Sequence, residues 1–152
     1  MKLKLIQKKE EIKDVTTFIF EPERPVVWLP GQYMYYTLPH ENSDDRGTER
    51  WFTIAAPPHE KNIRITTRFS EKGSTFKMAL KNLSIGDMIE AEGPEGDFVV
   101  ENPNQDFVFI AGGIGITPFR AILSDLKERK QPINVLLMYA NRLETAFQAQ
   151  KQ

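Results

Sequence analysis

The sequence predicts two lobes in series: a small antiparallel β-barrel or sandwich carrying one helix, then a parallel α/β segment. Three observations predict this. Short runs of β-branched and aromatic residues, punctuated by glycine and proline, recur through the first hundred positions. One stretch after Ser74 instead spaces its apolar residues as a helix does. Beyond Pro103 the pattern changes to uninterrupted apolar runs separated by a glycine loop and a helical stripe, the order of a βαβ unit. The boundary falls at residues 101–105, which gives lobes of 1–102 and 103–152.

The elements follow in order. Leu3 and Leu5 alternate with Lys2 and Lys4, and residues 15–20 are β-branched and aromatic until Pro22 and Pro25 end the run. Pro30-Gly31 marks a turn before Gln32-Tyr33-Met34-Tyr35-Tyr36-Thr37-Leu38. Residues 40–49 are a polar loop. Ile63, Ile65, Thr67 and Phe69 fall on one face of a strand, with Arg64, Thr66 and Arg68 on the other. Phe76, Ala79, Leu80 and Leu83 trace a helix that Ser74 caps, with Gly86 beyond its end. Gly86-Asp87 opens a strand over 88–91, and Gly93-Pro94-Glu95-Gly96 turns into Phe98-Val99-Val100.

In the second lobe, Phe107-Val108-Phe109-Ile110-Ala111 reads as a strand buried on both faces of a parallel sheet. Gly112-Gly113-Ile114-Gly115-Ile116 is a tight loop. Thr117-Pro118 supplies an N-cap and a proline at the first helical position, and Phe119, Ile122, Leu123 and Leu126 form the helical stripe. Val135-Leu136-Leu137-Met138-Tyr139 is a second buried strand, reached by a right-handed crossover. Residues 143–150 read as a helix start. Two parallel strands are not a stable unit, so the expectation is a truncated domain, or a subunit or second copy covering the open strand edge.

Composition removes several classes of function. The 152 residues include no cysteine, so the chain holds no disulfide, thiol nucleophile or iron–sulfur cluster. His40 and His59 alone cannot build a histidine metal site, and no Gly-x-Ser-x-Gly elbow is present. Twenty basic against twenty-one acidic side chains give no electrostatic reason to expect nucleic acid. Nothing reads as a signal peptide or a membrane span, so a soluble cytoplasmic protein without membrane insertion is expected.

Three segments carry chemistry. Gly112, Gly113 and Gly115 lie between a buried strand and a helix start, where close backbone approach and the helix dipole suit a pyrophosphate. They match neither the dinucleotide fingerprint nor a P-loop, and an empty structural turn explains them as well. Arg50 and Phe52 share one strand face, a guanidinium for a phosphate beside a ring for a flat heteroaromatic, with the Thr53 backbone next to it. Core packing and solvation explain the same pair. Gly73-Ser74-Thr75 opens the first helix, where free N–H groups make an anion site or simply a cap.

Taken together, these segments resemble one family. The order Pro30-Gly31-Gln32, Arg50-x-Phe52-Thr53, Ser74-x-Phe76-Lys77, Gly93-Pro94-x-Gly96-x-Phe98, Gly112-Gly113-x-Gly115-x-Thr117-Pro118 and Tyr139-Ala140-Asn141-Arg142 is similar to the ferredoxin–NADP reductase superfamily over essentially the whole chain. The resemblance implies a six-stranded antiparallel flavin-binding barrel followed by part of a parallel α/β nucleotide domain. It implies electron flow from NAD(P)H through FAD to an acceptor, either a redox protein or a small molecule.

By the same resemblance Arg50 holds the flavin phosphates, and Phe52 stacks on the isoalloxazine where the family has tyrosine. Thr53 lies near flavin N5 as the catalytic position, and Gly73, Ser74 and Thr75 sit beside the pyrophosphate. Gly112, Gly113, Gly115 and Thr117 form the nicotinamide loop, and Asn141 and Arg142 approach the adenosine ribose. Family members continue through further strands, including a Cys-Gly segment that this chain lacks. A flavin-binding or electron-relay subunit that does not itself oxidise NAD(P)H is therefore the alternative.

Overall fold

The computed structural model describes residues 1–141. Strands β1 (Lys2–Ile12), β2 (Val15–Pro22), β3 (Tyr33–Thr37), β4 (Glu49–Thr53), β5 (Ile63–Arg68) and β6 (Met88–Glu95) form one antiparallel sheet in the order β4-β3-β6-β1-β2-β5. Its two edges approach each other: the Ala55 amide, just past β4, donates to the Arg64 carbonyl of β5 at 2.9 Å. The sheet therefore curls into the expected six-stranded barrel. Helix α1 (Thr75–Asn82) lies between β5 and β6.

Alternation decides what fills the barrel. Leu3, Leu5, Phe18, Phe20, Ile63, Ile65 and Ile89 all turn inward and are essentially inaccessible, and Phe76 and Leu80 of α1 join them. β1 runs well past Leu5 to Ile12, although residues 7–10 are polar. Its far half is an exposed hairpin arm paired to β2 through backbone bonds, which side-chain pattern does not report. Phe98-Val99-Val100, the apolar run after the expected turn, is an irregular connector: β6 ends at Glu95, and Gly96 turns the chain at φ +100°. Phe98 sets its ring edge-on to Phe119 at 5.4 Å.

Tyr36 stands at the centre of the barrel with its hydroxyl buried and without a partner. Burial pushes this phenol well above its ordinary pKa. An unpaired buried hydroxyl is destabilising, whereas a ring of the same shape without it is not. Tyr36→Phe is therefore expected to raise stability by about 1 kcal/mol, read as a higher urea midpoint at unchanged slope; a lower midpoint would contradict the assignment.

The second lobe is a two-stranded parallel sheet, β7 (Phe107–Gly112) and β8 (Val135–Ala140), joined by a 3₁₀ turn, Gly113–Ile116, and helix α2 (Thr117–Glu128). Phe109 and Ala111 pack under Phe119, Ile122 and Leu126. The expectation of strands buried on both faces is corrected here. Val108, Ile110, Leu136 and Met138 are more than half exposed, because α2 crosses one face only and no other described element reaches the opposite one. No described helix is long and apolar enough to cross a membrane.

Candidate functional site

β4 brings two of the expected residues together. Arg50 pairs opposite Tyr36 of β3, and Phe52 follows on the same inner face. Both converge on Phe76 of α1: the Arg50 Cζ lies 5.6 Å from the centre of that ring, and the Phe52 ring centre 5.9 Å from it. Phe52 remains partly accessible, whereas Arg50 is almost wholly enclosed. Thr53 ends β4 opposite Tyr33 and is half-buried.

The start of α1 completes this corner. Ser74 adopts extended backbone and its hydroxyl accepts from the Lys77 amide, so it is the N-cap that the sequence predicts. Gly73 turns the chain just before it, donating to the Ser70 carbonyl. The anion seat is not left open, however. Asp44, from the polar loop before β4, accepts from the Thr75 amide through Oδ2 at 3.0 Å and from Arg50 Nη2 through Oδ1 at 2.8 Å. Arg50 Nη1 donates to the carbonyls of Arg46, Gly47 and Glu49, and its Nε is buried with no acceptor. Desolvation raises the Asp44 pKa, but donation from the Thr75 and Arg46 amides and from Arg50 outweighs it and holds the carboxyl below its usual range.

The glycine loop faces a second opening. Gly112 and Gly113 with Ile114, Ala140, Asn141 and the Arg68 side of β5 line a cleft of about 540 Å³. A Cβ on Gly112, Gly113 or Gly115 would meet nothing within 4 Å, so a ligand can approach this backbone closely. Gly113 needs its freedom, at φ +49°. Tyr139 donates its hydroxyl to the Gly113 carbonyl and accepts from Asn141, which fixes the loop to β8. The expectation that Thr117 caps α2 is corrected. Thr117 is the first helical residue, its amide bonded to the Ile114 carbonyl, because the glycines coil into a 3₁₀ turn that supplies the helix entry. Arg142 lies outside the described residues.

Arg120 ties α2 to the barrel. It donates to the Ala55 carbonyl at 2.7 Å and pairs with Glu60, which also pairs with Arg64. The sequence reading missed Asp44, Arg68 and Arg120. Nothing local separates Asp44 from Asp45, and the partners of all three lie on other elements.

Residues 2–100 match the oxidoreductase FAD-binding domain and residues 109–152 the oxidoreductase NAD-binding domain. The chain belongs to this oxidoreductase family. It is 32% identical over 141 residues to a flavohemoprotein of Candida albicans, covering 88% of this chain and 34% of that protein. It is 33% identical over 122 residues to the reductase component DmpP of phenol 2-monooxygenase from Pseudomonas sp. strain CF600, covering 79% of this chain and 33% of that one. The FAD/NAD-binding domain of a nitric oxide dioxygenase from Vibrio cholerae superposes with a TM-score of 0.82 at 25% identity, over 95% of this chain and 64% of that one. The chain thus spans about a third of the length of these curated relatives. The ferredoxin–NADP reductase resemblance agrees with all of these matches.

Proposed function

We propose that this chain is the flavin-binding part of a reductase that takes electrons from NAD(P)H and passes them through FAD to an acceptor, a redox protein or a small molecule. The observation that carries the reading is the convergence of Arg50, Phe52 and the Thr75 amide around Phe76. This donor set fits the cofactor: a guanidinium and a helix amide already share one anion, and a partly open ring stands beside them. When bound, FAD supplies the redox chemistry, accepting a hydride and giving up electrons.

Arg50 and the Gly73-Ser74-Thr75 entry of α1 would hold the phosphates, and Phe52 would flank the isoalloxazine. Thr53, at the end of β4, would offer its backbone to the ring, as the catalytic position the resemblance implies. Gly112, Gly113 and Gly115, with Thr117, would take the nicotinamide nucleotide. Similarity to a protein named as a reductase component supports this direction of electron flow.

The test is an absorption spectrum after reconstitution with FAD, followed by anaerobic titration with NADH and NADPH. Equimolar bound flavin that is bleached by either nucleotide is expected. Bound flavin that neither nucleotide bleaches favours the binding or relay module instead. A folded chain that takes up no FAD contradicts both.

A further inference from the structure

Loop 40–48 between β3 and β4 is polar and mostly exposed, yet one of its side chains reaches inward. Asp44 bridges two donors with its two oxygens, Arg50 Nη2 at 2.8 Å and the Thr75 amide at 3.0 Å. The loop is fastened on both sides of that carboxylate. Asp44 donates its own amide to Thr75 Oγ1 at 3.0 Å, Arg46 donates its amide back to Asp44 Oδ1 at 3.0 Å, and His40 Nε2 meets the same Thr75 hydroxyl at 2.9 Å. The Arg50 side chain is more than nine-tenths buried, and its Nε has no acceptor.

A carboxylate and a phosphodiester are alike here: each presents two acceptor oxygens sharing one negative charge. The two donors Asp44 bridges are those that the flavin reading gives to the cofactor phosphates. Resting on that reading, we propose that Asp44 is an internal stand-in for one FAD phosphate, and that the cofactor binds only when loop 40–48 carries Asp44 out of the seat. Asp44 is then the residue that sets FAD affinity. A site whose competent, open form is a minor fraction binds more weakly by that fraction. Removing the internal anion removes this competition and leaves both donors, the Arg50 guanidinium and the Thr75 amide, in place for the phosphate.

The test is titration of apo-protein with FAD by quenching of flavin fluorescence, in the wild-type chain, Asp44→Asn and Asp44→Ala. Riboflavin, which has no phosphate, serves as a parallel probe, and ADP, which has no flavin, is followed by its competition with FAD. Both variants are expected to bind FAD and ADP at least about tenfold more tightly, as expected when a closed state of about 90% is opened, with riboflavin unchanged. Equal or weaker FAD binding by folded variants overturns the proposal and makes Asp44 an organiser of the seat.

Amide exchange in the wild-type chain gives a second measure that needs no variant to fold. FAD should speed exchange at Asp44 and Arg46, whose N–H groups lose Thr75 Oγ1 and Asp44 Oδ1; slower exchange at both overturns the proposal. If neither wild type nor variants take up FAD while their melting transitions remain cooperative, it is the flavin reading that fails.

Discussion

Arg50→Ala is expected to lose FAD by about a hundredfold or more in Kd and to lower the melting temperature, because it removes an enclosed guanidinium from an ion pair whose carboxylate is partly exposed. The side chain joins three backbone carbonyls of residues 46–49 to the Asp44 carboxylate and covers the face of Phe76. Truncation leaves Asp44 without its counter-charge and the loop without its anchor. Arg50→Lys separates the two effects. An ammonium keeps the charge but cannot spread planar donors across carbonyls and anion together. Lysine should therefore recover much of the melting temperature and little of the FAD affinity, measured by thermal unfolding and flavin fluorescence. Wild-type FAD affinity in a folded Arg50→Ala variant would remove this guanidinium from the cofactor site. The background is informative too: with Arg50 gone, Asp44→Ala should tighten FAD less than it does in the wild-type chain, because only the Thr75 amide is then contested by the two anions.

How much of this was legible in the sequence depends on whether a feature is local. The inward run of Ile63, Ile65 and Thr67 could be read from alternation alone, and Ser74 from its place just before the helical spacing of Phe76, Ala79 and Leu80. The shared face of Arg50 and Phe52 follows from strand geometry. What escaped was set by pairing at long range. Asp44 meets Thr75 across 31 positions, and Arg120 meets Ala55 across 65. No spacing rule connects such residues.

Two misreadings have a different cause. The apolar runs of β7 and β8 show that both faces tolerate burial, not that both are covered, and α2 covers one. Thr117 followed by proline looks like a cap because the glycines before it were read as a loop. Once they coil into a 3₁₀ turn, the helix has its entry and the hydroxyl is no longer needed as an acceptor for it. The site was thus legible at its corners, and its wiring was not.

The second large effect is expected at Gly31, which belongs to no site. It turns the chain into β3 at φ +103°, and a Cβ there would lie 1.9 Å from the Phe98 carbonyl oxygen and 3.3 Å from Ile122 Cδ1. Phe98 sits in the connector between barrel and second lobe, and its ring rests on Phe119 of α2. The obstacle is backbone, so no rotamer change relieves it. Gly31→Ala should cost about 2–6 kcal/mol, combining a left-handed backbone with overpacking, and should speed amide exchange through residues 97–100. Gly112→Ala is the matching control. Its φ is −120° and a Cβ meets nothing within 4 Å, so the melting temperature should hold. The added methyl group instead projects where the flavin reading places the nicotinamide nucleotide, and should weaken its binding. If Gly31→Ala melts like wild type, the connector does not lie on this turn. If Gly112→Ala melts early instead, the glycine loop is a packing element rather than a ligand-facing one.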